Sequence, residues 1–280
     1  MDQGSKIDVL CPQFWDREWS NALQNSTISM RKRDDPKWMK FWNIMSEYYD
    51  FSEELPEKII NTLLKEGIIN RKSKILDIGC GLGTFTIPFS RKTSFVVALD
   101  PSQKMLEKIS QKIEKMNIKN INLVNSKWEE FEESKKFDLV FAAFCPAVNN
   151  GELLMKMKSM TKKYACLVTY AKLDSFLLKI RNGIWRILTE KPFISQSFHI
   201  IYPFNFLYSA GFRPQIMSFS YNHTIDRNFD DVVSQFEVYF DIFIHIDEMK
   251  REKIRQFLRK FAKKDRFIFK NKGKVYAMWW

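Results

Sequence analysis

The segment LDIGCGLGTF, Leu76 to Phe85, is a glycine-rich turn between two regular elements. The apolar run KILDI that enters it predicts a buried strand, and TFTIPFSRK after it predicts a helix. Glycine lets the backbone turn sharply and lets a ligand lie against it, while the amides of the following helix N-terminus face that ligand. The spacing Gly79-x-Gly81-x-Gly83 differs from the Gly-x-Gly-x-x-Gly of dinucleotide folds, which argues against a dehydrogenase.

Strands and helices alternate after this turn. Apolar runs predict strands at 74–78, 95–100, 121–125, 137–144 and 164–170, a sixth after Gly211 and a last one at 274–280. Amphipathic segments such as SQKMLEKISQKIEKM predict the helices between them. Continuous apolar strands separated by helices predict an α/β fold with a mostly parallel sheet covered on both faces.

The composition is that of a globular protein. The chain has 280 residues, 45% hydrophobic and 15% aromatic, so a large core and an aromatic-lined pocket are both expected. No apolar run approaches the roughly 20 residues of a membrane span, and the N-terminus lacks a secretory apolar region. The four cysteines are scattered without metal-ligand spacing, so we expect no disulfide framework, no metal site and a cytoplasmic location.

A second acidic residue follows the second strand. Asp100 lies 17 residues after Gly83, where a carboxylate can accept hydrogen bonds from both hydroxyls of a ribose. The segment LDIGCGLGTFTIPFSRKTSFVVALDPSQKMLEK, with NINLVNSKWEEF and FDLVFAAF behind it, resembles the class I S-adenosylmethionine-dependent methyltransferases. The resemblance covers roughly Lys74 to Tyr170, and SAGFRPQIMSFS and KVYAMWW are similar to the family's closing strands.

The resemblance implies a doubly wound, seven-stranded sheet whose last strand is antiparallel and inserted beside strand six. Residues 1–54 are expected to form a helical N-terminal or lid region. Residues 55–280 are expected to form a Rossmann-like domain with insertions at about 172–201 and 226–264. Aromatic side chains in the non-core parts suggest a lid over a small, partly apolar substrate, or packing at the sheet edge; they are Trp38, Trp42, Tyr48, Trp185, Phe193 and Phe198.

The same resemblance implies a set of residues that bind S-adenosylmethionine. The loop from Asp77 to Gly83 would pass under the methionine part, and Asp100 would bind the ribose. The family often places an acid after strand three, whereas this sequence has Asn125-Ser126-Lys127-Trp128, so Trp128 or nearby backbone is expected at the adenine. The predicted cofactor-binding residues are Asp77, Gly79, Cys80, Gly81, Gly83, Asp100, Pro101, Ser102, Trp128 and Phe144. The alternative is a tight turn without a ligand, with Asp100 as a helix N-cap.

The end of strand four reads Phe144-Cys145-Pro146-Ala147. Family members that methylate the exocyclic amine of adenine carry an Asn/Asp-Pro-Pro-aromatic turn there, so this chemistry loses support. Cytosine-C5 enzymes use a cysteine that follows the proline, whereas Cys145 precedes it and can equally be a small buried hydrophobe. No catalytic residue is assigned; the candidates are Cys145 and His199. The candidate substrate-pocket residues are Tyr48, Phe144, Cys145, Asn149 and Tyr170, of which Asn149 can also be a turn residue.

The formal net charge of +12 is concentrated near the end of the sequence. Between Lys250 and Lys274, twelve Lys/Arg stand against two acidic residues. This segment either contacts phosphates or is the solvated face of an amphipathic helix whose apolar side is Met249, Ile254, Phe257, Leu258 and Phe261. The sequence therefore predicts a methyltransferase acting on a small molecule. The alternatives are RNA or protein methylation through the basic segment, or a cofactor-binding protein without turnover. The methyl acceptor and the oligomeric state are not predicted.

Overall fold

The computed structural model describes residues 8–32, 36–48, 54–170, 176–195 and 199–280, with the side chains of residues 46–48 and of His223 left out. The described helices are α1 (Pro12–Gln24), α2 (Pro36–Tyr48), α3 (Glu54–Lys65), α4 (Thr86–Lys92), α5 (Gln103–Lys115), α6 (Gly151–Ser159), α7 (Phe176–Thr189), α8 (Ile201–Ser209), α9 (Phe229–Asp241) and α10 (Glu248–Arg259), with a 3-10 turn at Thr27–Met30. The strands are β1 (Lys74–Ile78), β2 (Phe95–Asp100), β3 (Ile121–Asn125), β4 (Phe137–Ala143), β5 (Thr161–Thr169), β6 (Gln215–Asn228) and β7 (Arg266–Trp279).

The strands form one sheet in the order β3-β2-β1-β4-β5-β7-β6. The pairs from β3 to β5 are parallel, and β7 runs antiparallel between β5 and β6. Neighbouring residues of β1 point to opposite faces, since Ile75 and Leu76 are both fully buried but belong to different apolar clusters. The predicted doubly wound, seven-stranded sheet is confirmed.

Three predicted strand boundaries are wrong. Helix α6 ends at Ser159, and Thr161 opens β5 with its hydroxyl donating to the Phe137 carbonyl, so this strand starts three residues before the predicted residue 164. Strands β6 and β7 pair continuously from Gln215–Trp279 to Asn228–Arg266. Their outer halves are rich in polar residues, so the apolar pattern did not extend the two predicted strands over them.

A second apolar cluster lies beyond the sheet, where the long β6–β7 hairpin meets α2, α7, α9 and α10. We call this assembly the cap. Its interior is aromatic: Trp185 stacks on Phe240 with centroids 5.9 Å apart, and Phe193 and Phe243 meet both Trp185 and Tyr239. The predicted lid residues Trp185 and Phe193 therefore fill the cap interior, whereas Phe198 lies outside the described residues.

Helix α10 covers one side of the cap. Its residues Ile254 and Leu258 are fully buried, whereas Met249 is 64% exposed and Phe261 is 37% exposed. The amphipathic interpretation of the basic segment is confirmed for the two buried positions and wrong for Met249. Across the described residues, every helix is too short or too polar to cross a bilayer.

Candidate functional site

The glycine loop joins β1 to α4 with three residues in the left-handed region. Gly79, Gly81 and Gly83 have φ of 68°, 51° and 84°. A Cβ on Gly79 would lie 2.4 Å from the Cys145 sulfur, and one on Gly83 would lie 2.6 Å from Cδ1 of Ile109, so packing requires glycine at both positions. A Cβ on Gly81 would meet no atom within 4 Å, which means that this residue leaves open space beside the loop.

Asp100 ties the loop to the end of β2. Its Oδ2 accepts a hydrogen bond from the Gly81 amide (3.0 Å), and its Oδ1 accepts one from the Ser102 amide (2.9 Å). Burial raises the pKa of Asp100, and the two amide donors oppose that rise. The N-cap of α5 is Ser102, whose hydroxyl accepts from the Met105 amide at 3.3 Å, so Asp100 is not needed to cap the helix.

Asp77 lies beneath the loop and is only 2% exposed. Its carboxylate accepts a hydrogen bond from the Thr86 hydroxyl at 2.5 Å, which connects β1 to the first turn of α4. Burial raises the pKa of Asp77 to about 7; the Thr86 hydrogen bond opposes this, and the charge of Asp100 adds to it. Burial, together with the charges of Asp100 and Asp77, also raises the pKa of the Cys80 thiol.

A cavity of about 1010 Å³ begins at this loop and continues into the cap. At the loop end it is lined by residues 77–82, Asp100, Pro101, Ser102 and Trp128. The ends of β4 and β5 contribute Phe144, Cys145 and Tyr170, and the cap contributes Trp38, Trp42, Leu177, Arg181, Arg227, Gln235, Phe236 and Tyr239. Its volume is at the upper end of the range for ligand pockets, which is roughly 300–1,000 Å³.

Phe144 marks the middle of the cavity wall. It has φ of 53°, a left-handed conformation that is uncommon outside glycine and that costs on the order of 1–3 kcal/mol. Its amide donates to the Val168 carbonyl (2.9 Å), and its ring lies 5.0 Å from the Tyr170 ring. The strained backbone thus directs an aromatic pair toward the space between the glycine loop and the cap.

The asparagines after β4 shape a turn. Asn150 caps α6 by accepting from the Leu153 amide (2.8 Å), and Asn149 donates from Nδ2 to the Pro146 carbonyl (3.1 Å). Asn149 is absent from the residues that line the cavity, so the structure favours the turn interpretation for it. Cys145 does line the cavity, with its sulfur against the open face of Gly79.

His199 lines the cavity beside Tyr170, with which it forms a parallel bridge. Its Nδ1 accepts a hydrogen bond from the Ile201 amide at 3.1 Å, so the neutral ring carries its proton on Nε2. Burial lowers the pKa of His199, which favours this neutral form. In this arrangement Nε2 is a hydrogen-bond donor, and it becomes a proton acceptor only if the tautomer changes.

The remaining predicted residues fall into three groups. Pro101 and Ser102 line the cavity at the loop end. Trp128 is 1% exposed and donates its indole N–H to the Leu153 carbonyl (3.3 Å), so that N–H is already used within the core. The Tyr48 side chain lies outside the described residues.

Sequence reasoning missed the polar side chains that the cap adds to the cavity. Arg181 comes from α7, Arg227 from β6, and Gln235 and Tyr239 from α9. The signal in the sequence is a four-residue spacing of Gln235 and Tyr239, which places both on one helix face. Nothing in the sequence indicates that two arginines from distant elements meet this face.

Charges divide along the cavity. Every acidic residue among the described lining residues is near the glycine loop; these are Asp77, Asp100, Glu129 and Glu130. The cap end instead carries Arg181 and Arg227. Lys127 also lines the loop end and pairs with Glu130 at 3.2 Å. The loop end is still acidic on balance and suits a ligand that carries positive charge, whereas the cap end suits one that carries negative charge.

Comparisons with known proteins agree with this fold. Residues 75–163 match the family described as a methyltransferase domain. A 23S rRNA (uracil(1939)-C(5))-methyltransferase from Vesicomyosocius okutanii is 26% identical over 107 residues, which are 35% of this chain and 24% of that protein. A Methanocaldococcus jannaschii protein assigned as a cobalt-precorrin-6B C(15)-methyltransferase is 29% identical over 73 residues, 26% of this chain and 40% of that protein. The structure of a candidate methyltransferase from Bacillus halodurans superposes with a TM-score of 0.51 at 16% identity, covering 78% of this chain and 96% of that one.

The sequence matches are partial. A Haemophilus influenzae protein named only as uncharacterized is 25% identical over 163 residues, 58% of this chain and 59% of its own length. This chain therefore spans less than two thirds of the length of each of these curated relatives. The Bacillus halodurans structure shows that the fold is shared.

Proposed function

We propose, on the premise that the chain belongs to the class I S-adenosylmethionine-dependent methyltransferases, that it transfers a methyl group to a small-molecule acceptor. The observation that carries this proposal is the continuity of one cavity from the glycine loop, past Phe144 and Tyr170, into the aromatic cap. A cofactor bound at the loop leaves room for an acceptor under the cap.

The residues at the loop end fit S-adenosylmethionine. Gly81 leaves open space where any other residue would place a Cβ, and the Asp100 carboxylate stands across from it. Asp100 would hold the ribose hydroxyls, and Pro101 and Ser102 would flank the adenine. The cofactor, when bound, supplies an electrophilic methyl group on a positively charged sulfur. Asp100 and Glu129 supply carboxylates at this end that suit its positive charge, whereas burial raises the pKa of Asp77 to about 7 and Glu130 pairs with Lys127 at 3.2 Å.

The contribution of the chain is mainly alignment. Holding two reactants in line is worth roughly 7–11 kcal/mol in favourable cases, so a displacement reaction does not require a conspicuous base. The rings of Phe144 and Tyr170 line the middle of the cavity, where an aromatic face also favours a cation. Cys145 and His199 remain candidates for a direct role; His199 in its present tautomer would donate a hydrogen bond to the acceptor through Nε2.

RNA methylation is the second candidate function, favoured by the basic segment 250–274. Many of its charges are already neutralised within the cap: Arg251 lies 3.8 Å from Glu237, Arg255 pairs with Asp230, and Arg259 lies 4.0 Å from Asp265. Over residues 226–274 as a whole, thirteen Lys/Arg stand against nine Asp/Glu, a net of +4. The covered cavity thus supports a small acceptor more strongly than the surface charge supports RNA.

Cofactor binding is tested by calorimetry with S-adenosylhomocysteine. We expect the wild-type protein to bind it and Asp100→Ala to bind at least tenfold more weakly, because hydrogen bonds to a charged group contribute about 1.5–3 kcal/mol each. The exposed carboxylate of Asp265, remote from the cavity, supplies the control Asp265→Ala, which should bind like the wild type. Equal binding by Asp100→Ala and wild type would contradict the assignment of the ribose site.

The acceptor class is tested with methyl-labelled cofactor. Low-molecular-weight metabolites and total RNA from the same cells are incubated separately with the protein. We expect label in the metabolite fraction and none in RNA. Label confined to RNA would overturn the small-molecule proposal and leave the methyltransferase assignment standing.

A further inference from the structure

Arg181 occupies an unusual position in the cap. Its guanidinium lies over the Tyr239 ring, 4.3 Å from the centroid, and 5.7 Å from the centroid of Phe193. Its Nε is buried without a hydrogen-bond partner, and within the described part of the chain no carboxylate pairs with it. Stacking fixes the plane of a guanidinium but leaves the N–H groups at its edge available for a ligand.

Gln235 presents a second donor on the same helix face, one turn before Tyr239. Its Oε1 accepts a hydrogen bond from Nη1 of Arg227 at 2.9 Å. That contact fixes the orientation of the amide, so the nitrogen is Nε2, which is buried and without a partner in the described structure. Arg227 therefore adds positive charge to the site and also holds Gln235 in a donating orientation.

Trp38 of α2 adds a third buried donor, since its indole N–H also has no hydrogen-bond partner among the described residues. Its ring lies 5.7 Å from Phe243, which in turn lies 6.3 Å from Phe193 beneath Arg181. A buried donor without a partner destabilises the folded protein, because the group has given up its hydrogen bond to water. The three residues that carry these N–H groups line the same cavity, and a shift of their side chains on binding would bring the buried N–H groups to an acceptor on the ligand.

Other basic residues of the cap do have carboxylate partners. Arg266 binds Asp226 (2.8 Å), Lys37 binds Asp241 (3.0 Å), and Arg255 binds Asp230. Asp230 and Asp241 of α9 are thus engaged away from the cavity. Arg181 contrasts with these pairs, because its contacts are two aromatic rings and the cavity.

From these contacts we propose that the methyl acceptor carries an oxyanion, a carboxylate or a phosphate monoester, which binds Arg181 and the Nε2 of Gln235. This inference rests on the proposed function and specifies its substrate class. The apolar walls formed by Trp42, Leu177 and Phe236 would hold the body of the acceptor between the anion site and the methyl donor. A guanidinium suits either anion, since it offers parallel N–H donors to two oxygens.

The test uses small aromatic anions as probes on protein saturated with S-adenosylhomocysteine. Benzoate and phenyl phosphate are compared with neutral benzamide in thermal-shift titrations, because a ligand that binds the folded state raises its Tm. We expect one or both anions to stabilise the wild type more than benzamide does, with the stronger anion identifying carboxylate or phosphate. Arg181→Met should weaken binding of that anion about tenfold or more.

The matched control is Arg259→Met, because Arg259 also stacks on an aromatic ring, 3.9 Å from the Phe229 centroid, but does not line the cavity. It should respond to the anions like the wild type. Gln235→Leu gives a second variant at the site if Arg181→Met is too unstable to titrate, and it should also weaken anion binding.

The inference is overturned if benzamide stabilises the wild type as strongly as the anions, if no anion stabilises it, or if Arg181→Met and Gln235→Leu keep the wild-type response. Calorimetry with S-adenosylhomocysteine separates this failure from a failure of the proposed function. Cofactor binding with no anion preference rejects only the anion site, whereas absence of cofactor binding rejects the function itself.

Discussion

The burial of Asp77 and its hydrogen bond to Thr86 have opposite effects on its pKa. Its carboxylate connects β1 to α4 through Thr86, yet burial raises its pKa to about 7 from 3.8. Between those pH values the folded protein binds a proton that the unfolded chain releases. Stability from this residue is therefore greatest at low pH and falls as the pH rises toward 7, the reverse of an ion-paired aspartate.

Asp77→Asn removes this titration and keeps an oxygen that can accept from Thr86. We expect its stability relative to the wild type to increase by about 3 kcal/mol between pH 5 and pH 8, because the folded wild type loses its extra proton over about two of these pH units and each corresponds to about 1.4 kcal/mol. Urea unfolding at the two pH values measures the change. Thr86→Ser keeps the hydroxyl and should follow the wild-type pH dependence; a constant difference between Asp77→Asn and wild type would show that Asp77 does not titrate in this range.

At the scale of single residues, sequence reasoning could locate the loop but not the roles within it. The spacing of Gly79, Gly81 and Gly83, together with their separation in sequence from Asp100, predicted which residues form the loop end of the cavity. That Gly79 faces Cys145 while Gly81 faces open space depends on the tertiary approach of β4 to β1. The same holds for Arg181, whose ring partner Tyr239 is 58 residues away in the sequence.

At the scale of elements, apolar runs predicted strands β1, β2 and β3 with their observed bounds. Strand β3 lies at the sheet edge and is partly exposed, whereas β1 and β2 are buried. Such strands are buried on both faces, so their sequence is continuously apolar. The outer halves of β6 and β7 are polar at many positions, because that hairpin extends beyond the sheet and pairs mainly with itself. A pattern that requires burial could not find them.

Helix α10 offers a prediction about the cap, since its buried side chains join it to α7 and α9. Ile254→Ala should destabilise the protein by roughly 2–4 kcal/mol, because Ile254 is fully buried and its loss leaves a cavity. Met249→Ala, on the same helix but 64% exposed, should change stability by less than about 0.5 kcal/mol. Chemical unfolding of both variants measures the difference, and similar losses would mean that α10 does not pack as described.

At the scale of the whole molecule, segment 250–274 is strongly positive when it is counted alone in the sequence, but the surface around it in the fold is less positive. Folding brings the acids of α9 and of the α9–α10 connection against these bases, as in the pairs of Arg251 with Glu237 and Lys250 with Asp247. The remaining excess is distributed over exposed lysines. The charge count over 250–274 therefore overstated the case for a phosphate-binding surface, because it left out the acids that precede the segment.

This arrangement predicts how activity responds to charge on the outer surface. Lys253 and Lys270 are exposed and do not line the cavity, so Lys253→Glu combined with Lys270→Glu should leave the rate of label transfer to the metabolite fraction within twofold of the wild type. An enzyme that docks on RNA through these lysines would lose RNA affinity steeply in the double variant, because contacts to phosphates are lost. It would also lose affinity steeply on added salt, because salt competes with the phosphate contacts. Transfer rates for the double variant at low and high salt separate the two cases. A tenfold loss at low salt would assign the basic surface a role in binding the acceptor, and the acceptor site would then extend beyond the cap.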